Sequence, residues 1–216
     1  MADTFTYGGI KWKFGYLGNL LSMENWGSKK DVFIPSVFPN GQKINSISGS
    51  FCAGPFGKIT ISDDIDNIGS EAFYAACVDE VVWPSGCYFI PTACFSYSTV
   101  SKVSNIDHVM YIGDRVFSRS QIKTLDWPKG YSTIPSGAFS GSSIEKVNGL
   151  KYVDCVHADA FCDTANLDSL DFSEAFSLEL MKDSLRKVPV DKVIFPYYFD
   201  YDRKFVFGDE DDQLVL

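Results

Sequence analysis

Hydrophobic positions along the chain fall into columns that recur every 22 residues. Phe51, Phe73, Phe95, Phe117, Phe139 and Phe161 form one column. Ile68, Ile90, Ile112, Ile134 and Val156 stand five residues before a Phe, and Ile59, Val81, Val103, Leu125 and Val147 stand eight after one. A period of about 20 to 29 residues marks a solenoid in which each coil contributes one strand. The pattern predicts a stack of 22-residue coils with one parallel strand per coil over residues 32–172. It sets an N-terminal cap at 1–31 and a C-terminal cap with an acidic tail at 173–216, all in one continuous structural domain.

The ends depart from the repeat. Phe5 and Tyr7 alternate before Gly8-Gly9, and Ile10, Trp12 and Phe14 alternate after it, which predicts a hairpin that covers the first coil. Gly15 to Lys30 is less regular and is assigned to the same cap. Val32-Phe33-Ile34-Pro35 is the first strand closed by a proline, echoed in Val81-Val82-Trp83-Pro84, Leu125-Asp126-Trp127-Pro128 and Val193-Ile194-Phe195-Pro196. Proline ends ladder pairing and turns the chain. A longer loop, Val37 to Lys43, turns at Pro39-Asn40-Gly41.

Trp83 and Trp127 share a column with Asn105 and Gly149, an alternation of large and small residues that predicts interdigitation up the stack. After Phe161 the repeat lengthens by one residue to Leu167 and continues through Leu170-Asp171-Phe172. Phe176, Leu178, Leu180, Met181 and Leu185, at helical spacing behind Ser173, predict a capping helix over Ser173 to Arg186, stopped by Pro189. A strand at Val193 to Phe195, an aromatic corner at Tyr197-Tyr198-Phe199 and a last strand at Lys204 to Phe207 complete the expected helix/strand cap.

These residues resemble the BspA-like leucine-rich repeat proteins. The resemblance lies in Ile68-Gly69-Ser70-Glu71-Ala72-Phe73, Ile112-Gly113-Asp114-Arg115-Val116-Phe117 and Ala138-Phe139-Ser140-Gly141-Ser142-Ser143-Ile144, in the strand-plus-proline segments and in the opening hairpin. It covers roughly residues 5–172. It implies a β-rich leucine-rich-repeat solenoid used for binding or adhesion, with no catalytic residues.

Strand side chains alternate, so if the columns eight and ten after each Phe face the core, those seven and nine after face outward. The first outward column reads Lys58, Glu80, Lys102, Thr124 and Lys146; the second reads Thr60, Val82, Ser104, Asp126 and Asn148. This mixed polar ladder is the candidate partner-binding surface, because solenoids bind along their extended sheet. The turns carrying Ile-Gly and Ile-Pro are not expected to bind, and the aromatic C-terminal cap around Tyr197, Tyr198 and Tyr201 is the fallback.

Composition narrows the chemistry. With 45% hydrophobic and 15% aromatic residues, the 216-residue chain can bury a substantial core. A net charge of −9 argues against a general nucleic-acid or anionic-membrane binder, which needs clustered Lys and Arg. No basic leader or long apolar run is present, so the chain reads as cytoplasmic; a protein whose leader had been removed would read the same, which leaves a secreted or surface protein as the alternative.

The six cysteines do not fall into matched columns. Cys52 and Cys162 share one but lie five coils apart, roughly 20 Å or more at about 4.8 Å per strand, too far for a disulfide. All six are expected to be buried free thiols. His108 and His157 lie in different coils without ligand-spaced partners, and no phosphate loop or nucleophile elbow occurs, so no cofactor, metal or catalytic site is expected. Asp63-Asp64 and the run Asp209 to Asp212 lack the spaced oxygens of a calcium loop.

The sequence therefore predicts a non-enzymatic protein-interaction module with an unidentified protein partner. The alternative is an acidic inhibitory decoy, of phage anti-defence or effector type, that blocks a basic nucleic-acid-binding site on its target. Salt dependence separates the two, because a decoy's affinity should fall steeply with ionic strength.

Overall fold

The structure, a computed structural model, describes residues 3–49 and 52–208. Phe51 and the acidic run Asp209 to Asp212 lie outside the described residues. The remaining Phe column is the spine of the molecule. Phe73, Phe95, Phe117, Phe139 and Phe161 are buried and stack ring on ring, with centroids 5.1, 5.2, 5.6 and 5.2 Å apart and planes within 14°.

One side of the stack is the strand face. Lys30–Ile34, Pro55–Ile61, Cys77–Val82 and Thr99–Ser104 pair in parallel, with Ile59 opposite Val81 and Val81 opposite Val103. Further up, Thr124–Asp126 pairs with Lys146–Asn148, Lys146 bridges to Ser169, and Leu170–Asp171 pairs with Val193–Ile194. A second, narrower column holds Phe89–Ile90 beside Tyr111–Ile112, then Thr133–Ile134, Cys155–Val156 and Glu179–Leu180.

The opposite side is a turn face with its own regularity. Residues two before and two after each core Phe have left-handed backbones: Glu71 and Ala75, Ala93 and Tyr97, Arg115 and Arg119, Gly137 and Gly141, Asp159 and Asp163. A non-glycine residue there costs roughly 1 to 2 kcal/mol. The compensation is hydrogen bonding between coils. Arg115, Phe117 and Arg119 donate their N–H groups to Ser136, Ala138 and Ser140 one coil on, while Ser118 and Ser120 donate within the coil to Arg115 and Phe117. Alternate amides thus serve the stack and the turn, and no large side chain fits between the coils. This is why Ala72, Cys94, Val116, Ala138 and Ala160 precede the Phe column, all buried.

The N-terminal hairpin forms as the sequence predicts. Asp3–Tyr7 pairs with Ile10–Phe14, and Gly8 (φ 60°) and Gly9 (φ 72°) supply the two left-handed turn residues that a tight hairpin needs. The less regular stretch contains a third strand, Asn19–Glu24, antiparallel to Ile10–Phe14 and parallel to the first coil through Ser46–Ile47 and Cys52–Ala53. The Val37 to Lys43 loop closes on a bridge between those two residues and drives Phe38 into the cap, 4.8 Å from Trp12 and 5.2 Å from Phe5.

Four expectations are corrected. Ser173 to Arg186 is not a helix but another coil. Glu179–Leu180 pairs in parallel with Cys155–Val156, and Leu185 takes the Phe position between left-handed Asp183 and Lys187. The helical spacing misled because it joined residues of opposite fate: Leu178, Leu180 and Leu185 are buried, whereas Phe176 is 93% exposed. Lys204 to Phe207 is not a strand but lies in the helix Arg203–Phe207, started by the Asp202 side chain, which accepts a hydrogen bond from the Phe205 N–H at 3.2 Å. That helix closes the turn face, since Asp183 and Leu185 donate their N–H groups to Phe205 and Val206.

Asn105 and Gly149 do not interdigitate with the tryptophans. Both are left-handed (φ 60° and 84°), and the Asn105 side chain donates to the Trp83 carbonyl at 2.8 Å. Trp83 and Trp127 fill the core, their indole N–H groups held by the Cys87 and Tyr131 carbonyls. Finally, all six cysteines are free, but Cys77 is exposed and Cys155 only half-buried. Cys77 begins a strand of the strand face and Cys155 begins one of the narrower column.

Candidate interaction surface

The strand face presents every predicted site residue outward or at its rim. Ile59, Val81, Val103, Leu125 and Val147 are buried beneath it. Between them Lys58, Lys102, Thr124, Asp126 and Lys146 are exposed, while Glu80, Thr60, Val82, Ser104 and Asn148 are half-buried. Register brings Lys58, Glu80 and Lys102 side by side, Thr60, Val82 and Ser104 beside them, then Thr124 with Lys146 and Asp126 with Asn148. Neighbouring columns stand about 4.8 Å apart.

The three lysines are not an unopposed basic column. Glu80 sits between Lys58 (3.6 Å) and Lys102 (3.4 Å) and accepts a hydrogen bond from the Ser104 hydroxyl at 2.8 Å. The Ser104 bond holds the Glu80 carboxyl below the usual carboxylate range; burial opposes it, and the Lys102 and Lys58 ammonium groups add to the lowering. Asn148 likewise donates to Asp126 at 2.8 Å. The Lys58–Glu80–Lys102 cluster thus keeps one positive charge in excess, and its donors and acceptors are ordered before any partner arrives. Lys146 and Asn148 meet Asp171 at a shallow depression of about 290 Å³.

Sequence reasoning missed three residues of this surface. Phe33 stands opposite Thr60 and is 58% exposed, Asp171 follows Asn148 up the ladder, and Ile194 pairs with Asp171 and is 48% exposed. The echo of Val32-Phe33-Ile34 in Val81-Val82-Trp83 was the available signal, since it puts Phe33 in the column of Val82.

His108, Asp63 and Asp64 have structural partners. His108 Nε2 lies 3.1 Å from the Pro84 carbonyl and 3.2 Å from that of Cys87, bracing one turn against the next. Asp63 accepts the Ser85 N–H at 2.7 Å, which with the Ser85 side chain keeps its carboxyl below the usual range, and Asp64 accepts the Ser36 hydroxyl at 3.1 Å. Among the described residues no group of three His, Cys, Asp or Glu side chains is placed to hold a metal ion, and no helix is long and apolar enough to cross a membrane.

A stack of single-strand coils around an aromatic and aliphatic core, capped at its N-terminal end by an antiparallel sheet, defines a leucine-rich-repeat solenoid. The chain belongs to the BspA type leucine rich repeat family, whose model matches six copies over residues 42–168. Among solved structures it is similar to a leucine rich cell surface protein from Faecalibacterium prausnitzii A2-165, at 20% identity and a TM-score of 0.50, covering 84% of this chain and 55% of that one. A leucine-rich repeat protein from Eubacterium ventriosum is a more distant match, at 13% identity and a TM-score of 0.40, covering 86% and 46%. The chain thus spans about half the length of these two proteins. No curated protein matches it significantly.

Proposed function

We propose that the protein is a non-enzymatic interaction module that binds a partner protein along its strand face. The observation that supports this reading is the ordered ladder from Phe33 to Ile194, in which outward side chains recur at strand spacing and Glu80 pairs with both Lys58 and Lys102. Surfaces of this kind engage a partner through many small contacts and lose little side-chain entropy on binding. Apolar Phe33, Val82 and Ile194 supply area to desolvate, and the Glu80 cluster supplies register. The description of the F. prausnitzii protein as a cell surface protein is compatible with the surface alternative for this chain.

The test is capture of the partner from the source organism's own extract, followed by affinity measurement with variants. Neutral Lys58→Gln, Lys102→Gln and Lys146→Gln together with Val82→Asp should weaken the contact by about tenfold or more. Substitution to Gln is preferred to charge reversal, which would set three carboxylates side by side around Glu80. Wild-type affinity in the combined variant would move the contact elsewhere, first to Tyr197 and Tyr198 on the C-terminal cap, which are exposed. The acidic-decoy reading predicts a steep loss of affinity with salt in the same assay; a contact made mainly through the apolar and uncharged side chains of the strand face predicts a shallow one.

A further inference from the structure

The turn face, set aside in the sequence reading, carries a groove of about 480 Å³ that runs across five coils from Glu71 to Asp159. Four coil steps of about 4.8 Å make it about 19 Å long, the span of an extended peptide of about six residues at roughly 3.3 Å each. Its middle is basic and its two ends are acidic, at Glu71 and at Asp159, the latter paired with Arg186, so carboxylates of a ligand are favoured only at the centre. Arg115 and Arg119, two of the chain's four arginines, line it in a protein of net charge −9.

The two guanidinium groups are differently prepared. Arg119 donates to the Tyr97 hydroxyl at 2.9 Å and lies over the Tyr97 ring at 5.4 Å, which orients its fork. Arg115 makes no side-chain hydrogen bond or ion pair with any described residue, although it sits in a coil where most other polar side chains have found one. Gly137 and Gly141 supply the room, since a Cβ at either would come within 3.3 Å of the Arg115 or 3.2 Å of the Arg119 Cγ.

The hydroxyls of the groove are already committed as donors. Ser96 donates to the Arg115 carbonyl at 2.7 Å, Ser118 to that of Ser140 at 3.2 Å, and Ser136 to that of Ala158 at 3.0 Å. With their protons committed, these hydroxyl oxygens can only accept; Ser118 and Ser136 are half-buried, whereas Ser96 is buried. A ligand that fits has one or more carboxylates for the arginines and N–H donors for the serine oxygens. An acidic peptide in extended form has both, and Arg is the side chain whose planar fork matches a carboxylate.

We infer that the turn-face groove binds an acidic peptide segment, with Arg115 and Arg119 taking its carboxylates and Ser118 and Ser136 accepting from its backbone. This site is independent of the strand face.

The experiment is fluorescence anisotropy with a labelled six-residue peptide of alternating glutamate and serine, and its glutamine counterpart, on the wild-type chain. The glutamate peptide should bind, and the glutamine peptide should bind about tenfold more weakly, as expected for lost charge-assisted hydrogen bonds. Arg115→Gln and Arg119→Gln should each produce a comparable loss, while Lys102→Gln on the strand face should not. Equal binding of the two peptides overturns the inference, and the wild-type comparison decides this even if an arginine variant folds poorly. Equal damage from Lys102→Gln also overturns it, as does binding of an acidic polysaccharide such as polygalacturonate with none of the peptide.

Discussion

Phe117 stacks against Phe139 at 5.6 Å and against Phe95 at 5.2 Å, with both ring planes within 11°. A central ring of the spine thus has two neighbours of its own kind, and removing it leaves a cavity open to both coils. Phe117→Ala should cost about 3 to 5 kcal/mol, lowering the melting temperature by roughly 6 to 20 °C for a chain of this size. Phe176→Ala, at a residue 93% exposed, should leave it nearly unchanged. Calorimetry of the two variants checks the core assignment and the missing helix together; similar shifts in both would contradict the coil that replaces it.

Ser184 occupies the small-residue column held elsewhere by Ala72, Ala138 and Ala160, is fully buried, and its hydroxyl has no hydrogen-bond partner. An unsatisfied buried hydroxyl costs about 1 to 3 kcal/mol. Ser184→Ala should therefore raise stability by about 1 kcal/mol or more, read as a higher denaturation midpoint with unchanged slope. A lower midpoint would mean that the hydroxyl has a partner.

The cysteines should separate by exposure. Burial pushes the Cys94 thiol far up and that of Cys162 up to about 11, so neither offers thiolate near neutral pH. Brief alkylation of the native protein at pH 8 should modify exposed Cys77 first, with Cys52, Cys87, Cys94 and Cys162 reacting only after unfolding. Mass mapping of the labelled peptides decides it; rapid labelling of Cys94 in the native state would contradict the burial of its column.

Glu80 links the strand face to pH. Its folded pKa is depressed, chiefly by Ser104 and then by Lys102 and Lys58, so its stabilisation is complete above the unfolded value of about 4.3 and is lost as pH falls through the folded one. Glu80→Gln should lower stability at pH 7 and make little difference below the folded pKa. A stability difference that persists unchanged at pH 2 would show that the carboxylate's charge is not what the cluster uses.

The fold was legible because a 22-residue period constrains every column at once. The Phe spine follows from that period, and the hairpin and the outward columns follow from alternation and glycine placement. What was not legible depended on neighbours in space. The coil over Ser173 to Arg186 steps 24 residues from Phe161 to Leu185, so it leaves the period, and its Leu spacing imitates a helix. Asn105 looked like a core residue because its left-handed backbone cannot be seen in its column. Glu80 was in the predicted site, yet its role as the counter-charge of two lysines needed the register. Arg115 was read only as part of the repeat and Arg119 not at all, because a groove across several coils has no signature along one of them.

The most direct test of the strand-face assignment is lysine footprinting by mass spectrometry on the protein alone and bound to its captured partner. Complex formation should slow acetylation of Lys58, Lys102 and Lys146, which lie on the strand face, and leave Lys13, Lys129 and Lys182 at their free rates, all six being exposed in the unbound protein. Unchanged rates at Lys58, Lys102 and Lys146, with protection at Lys182 or Lys129 instead, would contradict the strand face as the binding surface.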